Sequence, residues 1–381
     1  MTNNKDKKVL NVPNLRFPEF TGEWMKCKFG EIATGFDYGM NAAAKPYDGQ
    51  NKYIRITDID EASSTYNNSS IVSPDGILSE NYVVNEGDIL LARTGASTGK
   101  SYLYRKSDGK LYYAGFLIRA NVAEHNPYFV FSQLHTHRYW RWVSIMSARS
   151  GQPGINSLEY ASFPIFTTTL KEENKISSLL SLIDERITTQ NKIIEKLQSL
   201  IKGLRVCCMQ RVYGNNVYLS EIAQIYQPQT ISSTELTEDG FLVYGANGII
   251  GKYKDYNHET EQICITCRGN TCGMVNYTKP MSWITGNAMV INTDKYQDKV
   301  CKRYLYHYLS AYNFNSIISG SGQPQIVRTP LEKLKITLPT ISEQKQKAII
   351  FDKIQDKIDI NHKVLNLYIG QKQYLLRQMF I

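Results

Sequence analysis

The sequence has no run of about 20 apolar residues, the length that a helix needs to cross a membrane. Its first residues, MTNNKDKKVLNVPN, contain no apolar core of the length found in secretory signals. The seven cysteines are odd in number and irregularly spaced, which favours a reducing compartment over a disulfide framework. We therefore expect a soluble cytoplasmic protein.

Patterns typical of metal sites and catalytic triads are also missing. The six histidines have no spacing that suits either kind of site. Cys264 and Cys267 have the C-x-x-C spacing, with Cys272 nearby, but a structural zinc site needs four ligands. Moreover, residues three apart in a strand point to opposite faces. The sequence therefore predicts no metal ligands.

Two motifs of nucleotide and methyl-group chemistry are incomplete. The stretch Gly95–Ser101, GASTGKS, has three residues between its glycines where a phosphate-binding P-loop has four. The stretch Asn126–Phe129, NPYF, lacks the second proline of the Asn-Pro-Pro-Tyr motif of amino-methyltransferases, and no glycine-rich S-adenosylmethionine loop follows a first strand. We interpret the first as a basic turn at a strand end and the second as a helix start. The sequence therefore predicts no catalytic residue and no cofactor bound by this chain.

The composition is that of a folded, basic protein. Of the 381 residues, 42% are hydrophobic and 21% are charged, which favours a globular chain over a disordered one. The net charge of +9 is typical of proteins that meet a polyanion. A basic protein without such a partner would have the same charge, so the charge alone leaves both possibilities open.

The most informative feature of the chain is an internal duplication. The tripeptide Gly151–Pro153 recurs 171 residues later as Gly322–Pro324. Upstream the offset changes slightly, as insertions in loops would cause, and Gly99 matches Gly273. Each half therefore contains a variable globular part followed by a helix.

Two long helices are predicted from residues that alternate at spacings of four and three, the pattern of a coiled-coil seam. The first seam is Ile176, Leu180, Ile183, Ile187, Gln190, Ile194, Leu197, Ile201 and Leu204. The second, at the offset of the duplication, is Lys347, Phe351, Ile354, Ile358, Asn361, Leu365, Tyr368, Lys372 and Leu375. Each pattern indicates a helix of roughly 35–40 residues, long enough to act as a spacer.

Each seam contains one amide near its middle, Gln190 in the first and Asn361 in the second. If the two halves are related by a pseudo-twofold axis and the helices are antiparallel, equivalent midpoints face each other. A polar pair in an apolar seam fixes the register at some cost in stability. We predict that the two amides meet; two solvent-facing amides are the alternative.

The variable parts indicate mixed α/β structure. Residues 52–57 and 89–93 alternate as strands do, a helix is predicted from Asn126 through Trp142, and Lys302–Tyr312 is its counterpart. The predicted fold class is α+β, with two mixed α/β domains joined by two long antiparallel coiled-coil helices in a pseudo-twofold internal repeat. The predicted segments are an N-terminal arm (1–23), the first domain (24–168), the first spacer helix (169–210), the second domain (211–340) and the second spacer helix (341–381).

The chain resembles the specificity subunits of type I restriction–modification systems, the HsdS family. The resemblance rests on the opening Pro13–Trp24, on Gly87–Leu90 followed by a glycine turn, on the two Gly-Gln-Pro turns, and on the helix starts Glu172–Ile176 and Glu343–Lys347. It extends over essentially the whole chain, including the order of its parts.

This resemblance implies two target-recognition domains, each reading one half of a split double-stranded DNA site. It also implies that the helices set the gap between the halves and dock two modification subunits, which bind S-adenosylmethionine and methylate adenine N6. Two restriction subunits, which use ATP and Mg, could join them. The chain itself would not be an enzyme. A coiled-coil scaffold without sequence-specific DNA reading and a self-contained DNA methyltransferase are the alternatives.

Loop arginines, lysines, glutamines and asparagines are the candidate DNA contacts, because phosphates and base edges both accept hydrogen bonds from them. In the first domain these are Arg55, Arg93, Lys100, Arg105, Arg149 and Gln152. In the second they are Asn247, Arg268, Asn270, Lys279, Gln323 and Gln325. For each of them, a solvated loop position or a hydrogen bond within a turn is the alternative.

The duplication separates these candidates into shared and divergent positions. Gln152 and Gln323 are shared by both halves, so we expect them to shape the loop. Two domains that read different sequences should differ where they touch bases. The divergent pairs are Lys100 with Met274, Arg93 with Cys267, and Gly154 with Gln325.

Overall fold

The computed structural model describes residues 10–61, 63–210, 212–320 and 322–381. It divides into two compact units, the first formed by residues up to Thr189 together with Leu365–Ile381, and the second by Gln190–Val364. The division therefore assigns part of each predicted spacer helix to each unit. None of the helices in these described ranges is long and apolar enough to cross a membrane.

The first unit is built around a four-stranded antiparallel sheet in the order β2-β9-β6-β7. Its strands are β1 (Met25–Lys28), β2 (Thr34–Tyr38), β3 (Ala43–Pro46), β4 (Lys52–Ile54), β5 (Val72–Asp75), β6 (Asp88–Ala92), β7 (Ser101–Leu103), β8 (Leu111–Tyr113), β9 (Leu117–Asn121) and β10 (Pro164–Thr167). Its helices are α1 (Phe29–Ile32), α2 (Pro127–Gln133), α3 (His137–Met146), α4 (Ser157–Ala161) and the first part of α5 (Leu170–Gln210).

The central strand β6 is buried on both faces. Ile89 and Leu91 pack into one apolar cluster with the helices, whereas Leu90 and Ala92 pack into a second cluster on the other side of the sheet. Because side chains alternate across a strand, two covered faces require an unbroken apolar run. The strand predicted at residues 89–93 is therefore present, but residues 89–92 form an unbroken apolar run and do not alternate as predicted.

The helix predicted from Asn126 through Trp142 is wrong in one respect, because the structure breaks it into α2 and α3. Thr136 lies at the break, where its hydroxyl donates to the carbonyl of Gln133 (2.7 Å) and accepts from the N–H of Tyr139 (3.3 Å). A threonine that binds the backbone locally ends one helix and caps the next. The predicted strand at 52–57 is also shorter, since it ends at Ile54.

Part of the predicted N-terminal arm packs on the first unit, while its residues 1–9 lie outside the described ranges. Arg16 forms two hydrogen bonds with the buried carboxylate of Glu172 at the start of α5 (2.7 and 2.8 Å). The N–H of Leu15 donates to the carbonyl of Gln378 (2.8 Å). The arm is therefore attached by specific polar contacts.

The second unit repeats the central sheet of the first, with four antiparallel strands in the order β12-β18-β15-β16. Its strands are β11 (Asn215–Tyr218), β12 (Gln224–Tyr226), β13 (Phe241–Gly245), β14 (Gly248–Tyr253), β15 (Ile263–Thr266), β16 (Val275–Tyr277), β17 (Ser282–Ile284), β18 (Ala288–Asn292) and β19 (Lys335–Leu338). Its helices are α6 (Lys302–Ala311), α7 (Arg328–Glu332), the second part of α5 and most of α8 (Ile341–Gln378).

The duplication is visible in individual hydrogen bonds. At the start of α2, the N–H of Asn126 donates to the buried carboxylate of Glu173 (2.9 Å). Just before α6, the N–H of Cys301 donates to the side-chain oxygen of Gln344 (2.8 Å). Glu173 and Gln344 occupy equivalent positions at the starts of the two long helices, so each unit attaches its helix to its globular part in the same way.

The long helices α5 and α8 run antiparallel in each unit. In the first unit Asp184 pairs with Lys372 (2.7 Å), and in the second the ammonium of Lys347 approaches the carbonyl of Cys208 (3.4 Å). These contacts account for the two lysines that interrupt the second seam. The predicted fold class is confirmed: an α+β chain with two mixed domains, two long antiparallel helices and an internal repeat.

Candidate nucleic-acid interface

In each unit, the turn that follows the central strand binds the Gly-Gln-Pro turn. In the first unit the N–H of Gly95 donates to the carbonyl of Pro153 (2.9 Å), and in the second the N–H of Gly269 donates to that of Pro324 (3.0 Å). We call these two sites the paired turns: residues 93–100 with 149–154, and residues 267–274 with 319–320 and 322–325. They place loop segments that are far apart in the chain side by side.

Three backbone N–H groups of the first paired turn form hydrogen bonds with carbonyl groups of the turn or of the strand end before it. The N–H groups of Thr98, Gly99 and Lys100 donate to the carbonyls of Gly95, Ala92 and Ser97 at 3.0 Å each. Gly99 has a φ of +93°, and a Cβ there would lie 2.7 Å from Val143, so the turn requires glycine. These amide groups do not point at an open cradle, as those of a P-loop would. The GASTGKS stretch is a tight turn.

Three of the first domain's candidates have carboxylate partners. Arg55 forms two hydrogen bonds of 2.8 Å with Asp58, Lys100 lies 3.1 Å from Glu61, and Arg149 lies 2.5 Å from Glu159. Such exposed or partly exposed pairs contribute little stability, but each balances a positive charge locally.

Arg93 differs from these three residues. Its guanidinium carbon lies 4.6 Å from the centre of the Tyr38 ring, and its Nη1 approaches the carbonyl of Gly115 (3.4 Å). Among the described residues, no carboxylate lies within ion-pair distance of Arg93. A hydrogen bond from Ser157 lowers the pKa of Tyr38, and the charge of Arg93 acts in the same direction.

A cavity of about 670 Å³ lies beside this stacked pair. Its lining includes Tyr38, Asn41, Arg55, Arg93 and Phe116. The Phe116 ring is 59% exposed at the turn between β8 and β9. Sequence reasoning missed Tyr38, Asn41 and Phe116, since nothing in the local pattern of these residues distinguishes them from other loop and strand-end positions.

The remaining first-domain candidates lie on either side of β6 and β7. Gln152 belongs to the paired turn, and its amide nitrogen lies 3.0 Å from where a Cβ of Gly95 would be. Arg105 follows β7 at the opposite end of the β6–β7 hairpin, since Leu103 pairs with Ile89 and the turn lies beyond Leu91. The structure therefore gathers Arg93, Lys100, Arg149 and Gln152 at one paired turn. Arg55 lines the same cavity as Arg93, and Arg105 lies away from them.

In the second unit, too, most candidate residues lie at or beside the paired turn and one lies at the far end of the hairpin. Arg268 pairs with Gln325 in a β-bridge, Thr271 beside Asn270 donates to Asn247, and Gln323 lies in the Gly-Gln-Pro turn. Lys279 lies at the far end of the β15–β16 hairpin, where its N–H donates to the hydroxyl of Tyr244 (3.1 Å). Five of the six second-domain candidates therefore meet at or beside the paired turn.

The two cysteines of the C-x-x-C stretch lie on opposite sides of the sheet. Cys264 packs with Val290 in one cluster, whereas Cys267 packs with Ile265 in the other. Within the described ranges, no group of three or more histidine, cysteine, aspartate or glutamate side chains is arranged to hold a metal ion.

The structure brings the two seam amides together. The Nε2 of Gln190, which is 8% exposed, donates to the side-chain oxygen of Asn361 (2.5 Å) and to its carbonyl (3.2 Å). The other predicted seam positions are buried or partly buried: Ile183, Ile187, Ile194, Ile354, Ile358 and Leu365. The amide pair lies inside this apolar seam.

Comparison with known proteins gives one family. Residues 215–367 match the family model described as the type I restriction modification DNA specificity domain. The chain is 31% identical over 147 residues to the EcoprrI specificity subunit of Escherichia coli, covering 37% of this chain and 36% of that protein. It is 24% identical over 344 residues to the MjaVIII specificity subunit of Methanocaldococcus jannaschii, covering 75% and 76%.

The matched segments span about a third of the length of two curated relatives, the EcoprrI subunit (36%) and a putative specificity subunit of Haemophilus influenzae (35%). Among solved structures, the S subunit of a type I system from M. genitalium aligns with a TM-score of 0.66 at 16% identity, over 97% of this chain and 99% of that one. At this identity the likeness establishes the fold. Together these findings confirm that the chain resembles type I specificity subunits.

Proposed function

We propose that this chain, which carries a type I restriction modification DNA specificity domain in residues 215–367, reads a bipartite DNA target through its two paired turns. One observation carries the proposal: the same backbone turn, with the same hydrogen bonds, occurs once in each unit and presents different side chains. Two domains that recognise different half-sites are expected to share a backbone framework and to differ in the side chains that face the DNA.

The divergent positions support direct base reading. Arg93 on the first turn corresponds to Cys267 on the second, because Ile155 and Ile326 donate to their carbonyls in the same way (2.9 and 3.0 Å). The net charge of +9 supports binding to phosphates, which positions a protein on DNA without reading sequence. The twelve predicted contact residues remain predictions under this proposal.

We further propose that α5 and α8 act as the spacer that sets the distance between the two half-sites. Two readers on one DNA face should lie about one helical turn apart, ~34 Å, or a near multiple of it. A helix of 41 residues is about 60 Å long, which is sufficient for such a spacer.

The same helices present apolar side chains that are at least half exposed in the described part of the chain. Leu182 and Leu200 on α5 are 57% and 50% exposed, and Ile350 and Leu367 on α8 are 57% and 71% exposed. Exposed apolar residues of this kind suit partner subunits. In this proposal they dock two modification subunits, which bind S-adenosylmethionine and methylate adenine N6, and two restriction subunits that use ATP and Mg can join. Catalysis belongs to these partners.

Mapping N6-methyladenine across the host genome, with and without the gene for this chain, tests the proposal. We expect one bipartite methylated motif to disappear when the gene is deleted and to return when it is restored. An unchanged methylome would refute the assignment. Methyl transfer by the purified chain alone would favour a self-contained methyltransferase, and binding of the complex to DNA without sequence preference at physiological salt would favour a scaffold.

A further inference from the structure

Among the described residues, no carboxylate forms an ion pair with Arg93, which is one of the candidate DNA contacts in the first paired turn. Arg55, Lys100 and Arg149 each have a carboxylate partner within 3.1 Å. An arginine that is already paired must break that pair before it can bind a base, whereas Arg93 has only an aromatic face and a carbonyl as described neighbours.

The guanidinium of Arg93 lies against an anchored aromatic ring. It lies 4.6 Å above the ring of Tyr38, and the Tyr38 hydroxyl accepts the N–H of Ser157 at the start of α4 (3.2 Å). Tyr38 is also the last residue of β2, where it pairs with Ile118 of β9. Because the ring is attached at both ends, the stacked guanidinium is pre-oriented and loses less freedom on binding.

A cavity lies beside Arg93. The cavity of about 670 Å³ includes Asn41 and Phe116, and the exposed Phe116 ring lies at the adjacent turn. The pairing of Arg55 with Asp58 leaves Arg93 as the unpaired charge of this lining. The site therefore combines an aromatic edge with a guanidinium that has no carboxylate partner and whose Nη1 alone has a described hydrogen bond, to the carbonyl of Gly115 (3.4 Å).

We propose that Arg93 determines specificity in the first half-site by donating two hydrogen bonds to O6 and N7 of a guanine in the major groove. The planar fork of arginine matches these two acceptors, and no other base offers the same pair. This inference rests on the proposed function, since it requires that the paired turns face DNA.

The second unit contains an internal contrast. Cys267, at the equivalent position, is fully buried and its thiol lies 3.1 Å from the carbonyl of Asn287. It offers no fork of donors to a base edge. The guanine contact is therefore specific to the first half-site.

The test uses the chain produced together with its modification subunits. With Arg93→Ala, we expect one guanine of the first half-site to become degenerate in the N6-methyladenine motif, while the second half-site is unchanged. In binding assays with duplex DNA, replacing that guanine by 7-deazaguanine, which lacks the N7 acceptor, should weaken the unaltered complex about 10-fold and leave the Arg93→Ala complex unaffected. Lys106→Ala removes an exposed positive charge just after β7, at the other end of the same hairpin and outside the predicted DNA contacts. It is the matched control and should retain the motif.

Arg93→Lys keeps the positive charge but loses the fork of N–H donors. The complex with this variant should therefore bind DNA of random sequence as before and still lose its discrimination for guanine. Arg93→Lys also replaces Arg93→Ala as the test variant if Arg93→Ala does not fold. The inference is overturned if either variant retains the full motif. It is also overturned if Arg93→Ala weakens binding to all sequences equally and lowers the salt dependence, because Arg93 would then contact a phosphate. Absence of any bipartite motif with the unaltered chain would instead contradict the proposed function.

Discussion

At the scale of single residues, His135 is a partly buried histidine whose surroundings favour the neutral ring. Its Nδ1 lies 2.9 Å from the carbonyl of Phe131 and its Nε2 lies 2.9 Å from the hydroxyl of Ser64. Burial, followed by the charge of Lys372, lowers the pKa of His135 to about 4. The neutral ring satisfies both contacts, since one nitrogen can donate and the other can accept.

This arrangement predicts a loss of stability in mild acid. The unfolded chain binds a proton at His135 near pH 6.5, whereas the folded chain does so only near pH 4, so the contribution is complete above pH 6.5 and is lost as the pH falls. By pH 4 the free energy of unfolding should decrease by about 3 kcal/mol from this residue. Urea denaturation at a series of pH values from 7 to 4 measures this decrease in the free energy of unfolding.

Other groups also titrate in this range, so the comparison is between variants. His135→Asn should unfold with a smaller pH dependence than the unaltered chain, although it is less stable at pH 7. The exposed His137→Asn is the control and should keep the full pH dependence. Equal slopes for the unaltered chain and His135→Asn would show that His135 is not the group responsible.

At the scale of elements, the Gln190–Asn361 pair is the polar break in the seam between α5 and α8. Removal of one partner leaves a buried amide without its hydrogen bond, whereas replacement of both by leucine restores an apolar seam. We therefore expect Gln190→Leu and Asn361→Leu each to cost about 1–3 kcal/mol, and the double variant to be close to the unaltered chain.

A double-mutant cycle in urea denaturation measures this coupling. Gln198→Leu, at an exposed position of α5, is the control and should change the free energy of unfolding by less than about 0.5 kcal/mol. If the costs of the two single variants simply add in the double variant, the amide pair contributes no coupling and the register must be set elsewhere in the seam.

The helices also show which structural features local sequence patterns can predict and which they cannot. The long helices were predictable because burial on one side of a helix repeats every three to four residues and leaves that period in the sequence. The break between α2 and α3 was not, because a threonine in a helical pattern can either stay within the helix or cap a new one. The contacts of Thr136 with Gln133 and Tyr139 show that it caps α3.

At the scale of the whole molecule, the duplication predicts that the half-sites can be exchanged separately. In a test that rests on the proposed function, residues from about Val217 to Leu334 are replaced with those of a type I specificity subunit that reads a different target. This exchanges the second half of β11, β12–β18, α6 and α7, and keeps α5 and α8. Methylome mapping of a host with this hybrid should show one half-site changed, with the other half-site and the gap retained.

The reciprocal hybrid, in which residues 24–168 are replaced, is the matched control and should change the other half-site alone. A change in both half-sites from either hybrid would contradict independent readers. A changed gap with both half-sites intact would show that the globular parts, as well as the helices, set the spacing.

The duplication, the two seams and the fold class could be inferred from the amino-acid sequence alone, because each of them leaves a repeated or periodic pattern along the chain. The sequence also identified Arg93 as one of several candidate cations. Only the tertiary structure distinguished Arg93 from Arg55, Lys100 and Arg149, because the distinction depends on which side chains come together in space. Tyr38 lies 55 residues before Arg93 and reaches it through the pairing of β2, β9 and β6, and contacts of this kind leave no local pattern in the sequence.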